Sequence, residues 1–211
     1  DTAHYSGKAR PRQRRRAEKC ALQSAAREGI LYFIEYLRGE GTAMFAVIDT
    51  ETTYADEVMS IGIVMADEET FRPVDARYYI IAPAYQTGGM FSHVLQSTER
   101  CTLPFAQRVC LRRDALEDLR AFMARYGADT IFAYNANFDR SHLPELRTYN
   151  WGDIMWAAAY RQFNPTIPAD ADCYATGRLK CGCGVEATLR RLLGRADYYE
   201  VHNALDRKSV V

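Results

Sequence analysis

The chain has no long apolar run. Nowhere do about 18 apolar residues follow one another, so no membrane-spanning helix is expected. No apolar stretch with a small-residue cleavage site follows the basic N-terminal region, so no signal peptide is expected. Neither charge is in excess, with 27 Lys and Arg against 27 Asp and Glu. Cysteine is too thinly spread for a disulfide scaffold: six residues (Cys20, Cys101, Cys110, Cys173, Cys181, Cys183) are scattered over 211 positions. That usage implies reduced thiols and a cytoplasmic setting. Cys173, Cys181 and Cys183 lie close in sequence, but C-x7-C-x-C is not a common zinc spacing, and buried free thiols are the expectation there.

What is present is enough for one domain with an appendage. Apolar residues make up 48% and charged residues 26%, which supports a packed core and argues against disorder throughout. The balanced charge is unevenly placed. Residues 1–43 carry nine Lys and Arg against five acids, which leaves eighteen basic and twenty-two acidic residues elsewhere. A mildly acidic body is a poor generic binder of nucleic acid. It suits an enzyme in which bound cations meet the phosphate.

Three stretches follow from the patterning. Residues 1–43 hold the basic run KARPRQRRRAEK and an apolar-periodic segment from Ala21 to Leu37. Two readings stand open for them: a helical extension, or residues foreign to the natural protein, with Met44 as its start; a nucleic-acid arm is a third. Residues 44–205 read as one α/β domain. Strands are expected at Met44–Glu51, Val58–Asp67, Asp75–Pro83 and Thr130–Asn135. Helices are expected at Arg112–Gly127, near Asn137, at Asp153–Gln162 and at Gly184–Gly194. Strands first, then alternating helices and strands, imply a mixed central sheet flanked by helices. The last stretch, DRKSVV (Asp206–Val211), resembles the translation of a common sequencing-library adapter, so the natural coding sequence is expected to stop at Leu205 and the rest to be read-through.

Three motifs carry chemistry. Asp49 and Glu51 close the first apolar strand. A strand has a side-chain period of two, so both carboxylates face one way and can hold Mg2+ or Mn2+, or they are merely a polar turn. Asn135 and Asp139, in YNANFDRSHL, follow a second strand at the start of a helix, a place that also favours plain N-caps. His202, in VHNAL, follows an aromatic loop and opens an expected helix; a lone histidine there needs no task.

Together the three resemble the DEDDh 3′→5′ exonucleases, the family of the proofreading epsilon subunit of bacterial DNA polymerase III. That family has an apolar strand ending in D-x-E, matched by Asp49 and Glu51. It has an H/Y-N-x-x-F-D string, matched by Tyr134, Asn135, Phe138 and Asp139, and an H-x-A-x-x-D string, matched by His202 and Ala204 and then broken. The resemblance spans Met44 to Leu205 and implies an RNase H-like exonuclease fold. It implies two Mg2+ or Mn2+ ions held by Asp49, Glu51 and Asp139, with His202 as general base, and release of nucleoside 5′-monophosphates. It implies a nucleic acid with a free 3′ end as partner, single-stranded DNA or RNA, and leaves a DNA polymerase as an open partner. Thr50, Thr52 and Asn135 are candidates for substrate contact, with Thr53 beside them. Tyr134 and Phe138 are expected in the core.

The break in the third motif matters. The family's last metal-binding Asp falls five residues after the His, where this chain has Arg207; Asp206 is one residue short. One residue on a helix turns about 100°, so Asp206, the candidate for the last metal ligand, is off the family spacing and would point away from the metals, and a guanidinium at Arg207 would repel them. Little activity is expected of the chain with Arg207. Two rivals remain. An RNase H-type endonuclease shares clustered acids but leaves His202 unexplained. A catalytically inactive exonuclease-like scaffold rests on Arg207 alone.

Overall fold

The structure is a computed structural model that describes residues 44–96, 105–200 and 202–205. Residues 1–43 and Asp206–Val211, with the expectations attached to them, lie outside the described residues. The first three strands are β1 (Met44–Thr52), β2 (Val58–Asp67) and β3 (Pro73–Ala82). They form the expected antiparallel meander. Both faces of β1 and β2 are buried almost throughout. That accounts for their unbroken apolar runs, since a strand covered on both sides has no reason to alternate.

Three more strands complete a six-stranded mixed sheet in the order β4-β3-β2-β1-β5-β6. They are β4 (Phe105–Leu111), β5 (Thr130–Ala133) and β6 (Asn150–Asp153). β5 runs parallel to β1, and β6 parallel to β5. The C-terminal ends of β1, β5 and β6 therefore lie along one edge of the sheet, where ligands gather in α/β folds. β4 and β6 were not expected from the sequence. β4 is an exposed edge strand carrying Gln107 and Arg108, and β6 is the short, polar NWGD.

Among the described residues there are four α-helices: α1 (Arg112–Arg125), α2 (Ala136–His142), α3 (Ile154–Ala159) and α4 (Val185–Leu193). The helical period of α1 puts Leu116, Leu119, Phe122 and Met123 into the main core with Ala46, Ile48, Ile61, Ile63 and Tyr79. Two expectations are corrected. The helix expected over Asp153–Gln162 is shorter, because Asp153 ends β6 and Tyr160 is extended and bridges to Arg178. The helix expected to open at His202 is not formed at residues 202–205, and His202 adopts a left-handed φ of 56°. No helix among the described residues is long and apolar enough to cross a membrane.

Candidate active site

Alternation along β1 sends Ala46 and Ile48 into the core under α1 and Phe45 and Val47 to the opposite face. Asp49 and Glu51 continue that second face at the end of the strand. Each is only 4% exposed. Two buried carboxylates in such proximity are costly, through desolvation and mutual repulsion. Hard oxygen donors arranged this way fit a small divalent cation, which offsets both costs.

Asp139 arrives from the neighbouring strand. β1 and β5 pair at Ala46–Ile131 and Val47–Phe132, and β5 ends at Ala133. The chain then turns through Asn135, at φ 63°, into α2. This puts the buried Asp139 beside Thr50, the residue between the two acids. Its Oδ1 accepts from both the backbone N–H and the hydroxyl of Thr50, each at 2.9 Å. The turn is fastened by Asp153, whose carboxylate accepts from the N–H groups of Asn135 and Met155, both at 2.9 Å. Burial holds the Asp153 carboxyl above its ordinary range, against the opposing effect of those bonds. The sequence offered Asp153 only as a helix start; its service to the motif around Asp139 depends on β5 and β6 being neighbours.

Tyr78 is a further residue at the acids. Register places Asp49, Gly62 and Tyr78 in one row across β1, β2 and β3, with Glu51, Ser60 and Ile80 in the next. Gly62 has no side chain to separate the outer two. Tyr78 and Ser60 are fully buried, and the two hydroxyls face each other across the sheet, Ser60 partly offsetting the effect of burial on the phenol. Burial drives the Tyr78 phenol far above its usual range, and the charges of Glu51 and Asp49 push it further. Only the strand register brings this ring to the site, so nothing in the local sequence marked it.

His202 reaches the same face of the sheet. Ala204 and Leu205 bury themselves in one cluster with Val64, Ala76, Tyr78 and Ile80. The Asn203 amide donates to the carbonyls of Val94 and Leu95. The His202 ring stacks on Phe91, centroids 4.1 Å apart and 10° from parallel, and its Nδ1 lies 4.0 Å from a Glu200 carboxylate oxygen. Asp206 lies outside the described residues.

The remaining candidates divide. Thr50 is committed to Asp139. Thr53 turns its hydroxyl to the N–H groups of Ala55 and Glu57 and holds the β1–β2 turn. Thr52, the last residue of β1, is half-buried, and Asn135, the residue before α2, is exposed. Tyr134 is half-buried and outside the core clusters, its hydroxyl donating to the Cys183 carbonyl and lying 3.0 Å from the Thr188 hydroxyl. The core position expected for Phe138 is corrected: it is 38% exposed and lies against His142. On a helix as short as α2, the buried face is already taken by Ala136 and Asp139. The expectation of buried thiols is also corrected. Cys181 is exposed, and Cys173 and Cys183 are half-buried in a segment without regular structure. Among the described residues, no three or more Asp, Glu, His or Cys side chains are grouped so that they could hold a metal ion. Asp49 and Glu51 make a pair, with Asp139 turned onto Thr50.

No protein-family model and no curated protein sequence matches the chain. Solved structures do. The nuclease domain of 3′hExo, a DEDDh family member bound to rAMP, is 14% identical at a TM-score of 0.53, over 80% of this chain and 87% of that one. A 3′-exonuclease in 3′-end-specific recognition of the histone mRNA stem-loop is 16% identical at 0.53, over 81% and 79%. E. coli Exonuclease I in complex with a dA16 oligonucleotide is 14% identical at 0.51, over 80% of this chain and 39% of that one. The fold is thus the RNase H-like exonuclease fold. Its structural neighbours are DEDDh 3′ exonucleases, as the three motifs led one to expect.

Proposed function

We propose that this chain is a divalent-metal-dependent 3′→5′ exonuclease domain acting on single-stranded ends of DNA or RNA. One observation carries the proposal: Asp49 and Glu51 are buried side by side, and Asp139 is fastened to Thr50 between them. Solved relatives of the fold that are named for a bound rAMP, a dA16 oligonucleotide or an mRNA 3′ end support the choice of substrate.

Asp49 and Glu51 would hold the cations, and Asp139 would order the polar shell around them. Two bound Mg2+ or Mn2+ ions supply an activated water and neutralise charge at the phosphate and the leaving 3′-oxygen. His202 takes the proton of the attacking water at Nε2, since its Nδ1 faces Glu200. Stacking on Phe91 limits how far that ring can rotate. Thr52 and Asn135 would be the residues to contact the terminal nucleotide.

The test is digestion of 5′-labelled DNA and RNA strands in Mg2+ or Mn2+. A ladder shortening from the 3′ end, abolished by EDTA and by Asp49→Asn, is the expected result for a chain carrying Arg207→Asp and a continuing helix. A circular strand cut under the same conditions would point to an endonuclease instead. A second reading, an inactive scaffold that binds strands without cutting, is favoured by Arg207 and by the lack, among the described residues, of three or more acids, His or Cys grouped so that they could hold a metal ion. Binding without digestion in the Arg207→Asp chain would establish it.

A further inference from the structure

A group of aromatic side chains lies outside the acid site and has no part in the chemistry just described. Trp156, on α3, is 43% exposed. Its ring stacks on Tyr160, with centroids 5.1 Å apart and 17° from parallel, and Phe163 closes on it at 5.9 Å. Tyr160 bridges to Arg178, whose guanidinium lies 5.0 Å from the ring centroid of Tyr174, itself 47% exposed. Arg161 leaves the same turn and is exposed, one guanidinium nitrogen donating to the Ala171 carbonyl at 2.6 Å. Aromatic rings open to solvent and interleaved with guanidinium groups are the chemistry of single-strand binding, where bases stack and cations follow the backbone.

Position decides between a substrate and an unrelated partner. α3 starts where β6 ends, at the sheet edge where β1 presents its acids. Ile154 packs in one cluster with Phe45, Val47 and Phe132, so α3 begins on the sheet face that carries Asp49 and Glu51. Two strand spacings separate β6 from β1, about 10 Å. That is the reach of about three stacked nucleotides at roughly 3.4 Å each. A strand leaving the acids along this edge would cross the start of α3, the helix that carries Trp156, a few nucleotides from its 3′ end.

We propose that Trp156, supported by Tyr160 and flanked by Arg161 and Arg178, is a stacking platform for the single strand upstream of the scissile end. The proposal rests on the exonuclease reading above. The test uses the full chain in EDTA, which permits binding without cutting, and two probes: an oligo(dT) of about twelve nucleotides and the dinucleotide dTdT. Binding is followed by quenching of tryptophan fluorescence and by calorimetry. Trp156→Ala is expected to lower affinity for the long probe about tenfold. It should lower affinity for the dinucleotide by much less, so the ratio of the two affinities falls. Trp156→Phe should restore most of that ratio, and a thermal melt confirms that both variants are folded. A folded Trp156→Ala chain that holds the long probe as tightly as the parent overturns the platform and leaves the patch to a protein partner. A parent chain that binds neither probe, and cuts neither with Mn2+ after Arg207→Asp, brings down the exonuclease reading first and the platform with it.

Discussion

Thr50 gives both its backbone N–H and its hydroxyl to one oxygen of Asp139. The Thr50 side chain therefore acts as a spacer between β1 and α2. Thr50→Val keeps the branched shape and the N–H but removes the hydroxyl. It is expected to cost about 1–2 kcal/mol in urea unfolding, since a buried carboxylate loses a donor. Thr50→Ser should cost less. Equal losses for Val and Ser would show that shape matters there and the hydroxyl does not.

Glu51→Gln removes one of two neighbouring buried charges. The metal-free chain should gain stability, by roughly 1 kcal/mol, while losing the group expected to hold a cation. In EDTA the melting temperature should rise by about 2–4 °C. Mn2+ should raise the melting temperature of the parent and leave that of Glu51→Gln unmoved. A drop in the EDTA melting temperature would mean that the carboxylate is held by the protein for its own stability.

Three tyrosines are expected to limit the stability of the fold at alkaline pH. Burial raises the phenols of Tyr78 and Tyr79 far above the ordinary value of 10.0 and pushes Tyr134 up to about 12. A raised folded pKa means that the folded chain keeps protons the unfolded chain releases. The contribution is intact below pH 10 and is lost as pH climbs above it, by about 1.4 kcal/mol per unit and per group. Unfolding between pH 10 and 12 should coincide with the rise in tyrosinate absorbance. Ionisation of all the tyrosines ahead of unfolding would contradict the burial of these three.

Asp153 distinguishes a lost acceptor from a lost charge. Asp153→Ala leaves the N–H groups of Asn135 and Met155 without their oxygen and should cost about 2 kcal/mol. Asp153→Asn keeps an oxygen in place and relieves the buried charge that raises the group's pKa, so it should cost far less at neutral pH. Denaturant midpoints of the two variants decide the matter; a similar loss in both would point to the charge.

Period and burial explain what the sequence disclosed. Asp49 and Glu51 could be placed on one face because a strand repeats every two residues, and α1 because a helix repeats every 3.6. β4 stayed hidden because an exposed edge needs no apolar pattern, and β6 because NWGD reads as a turn. Tyr78 looked like any buried strand residue, and its closeness to the acids follows from register with Gly62. His202 stood at an expected helix start and instead takes a left-handed turn, held by a ring stack with Phe91 far away in sequence.

The seam between β1 and β5 is short, with its rungs at Ala46–Ile131 and Val47–Phe132, and beyond them a side chain takes over. Backbone rungs have a fixed reach, whereas a carboxylate mounted on the seven-residue α2 travels with that helix. Small excursions of α2 would thus widen or close the gap between the strand and its third acid. Deuterium uptake at the Thr50 amide becomes a gauge of whether Asp139 is docked against β1 at a given moment.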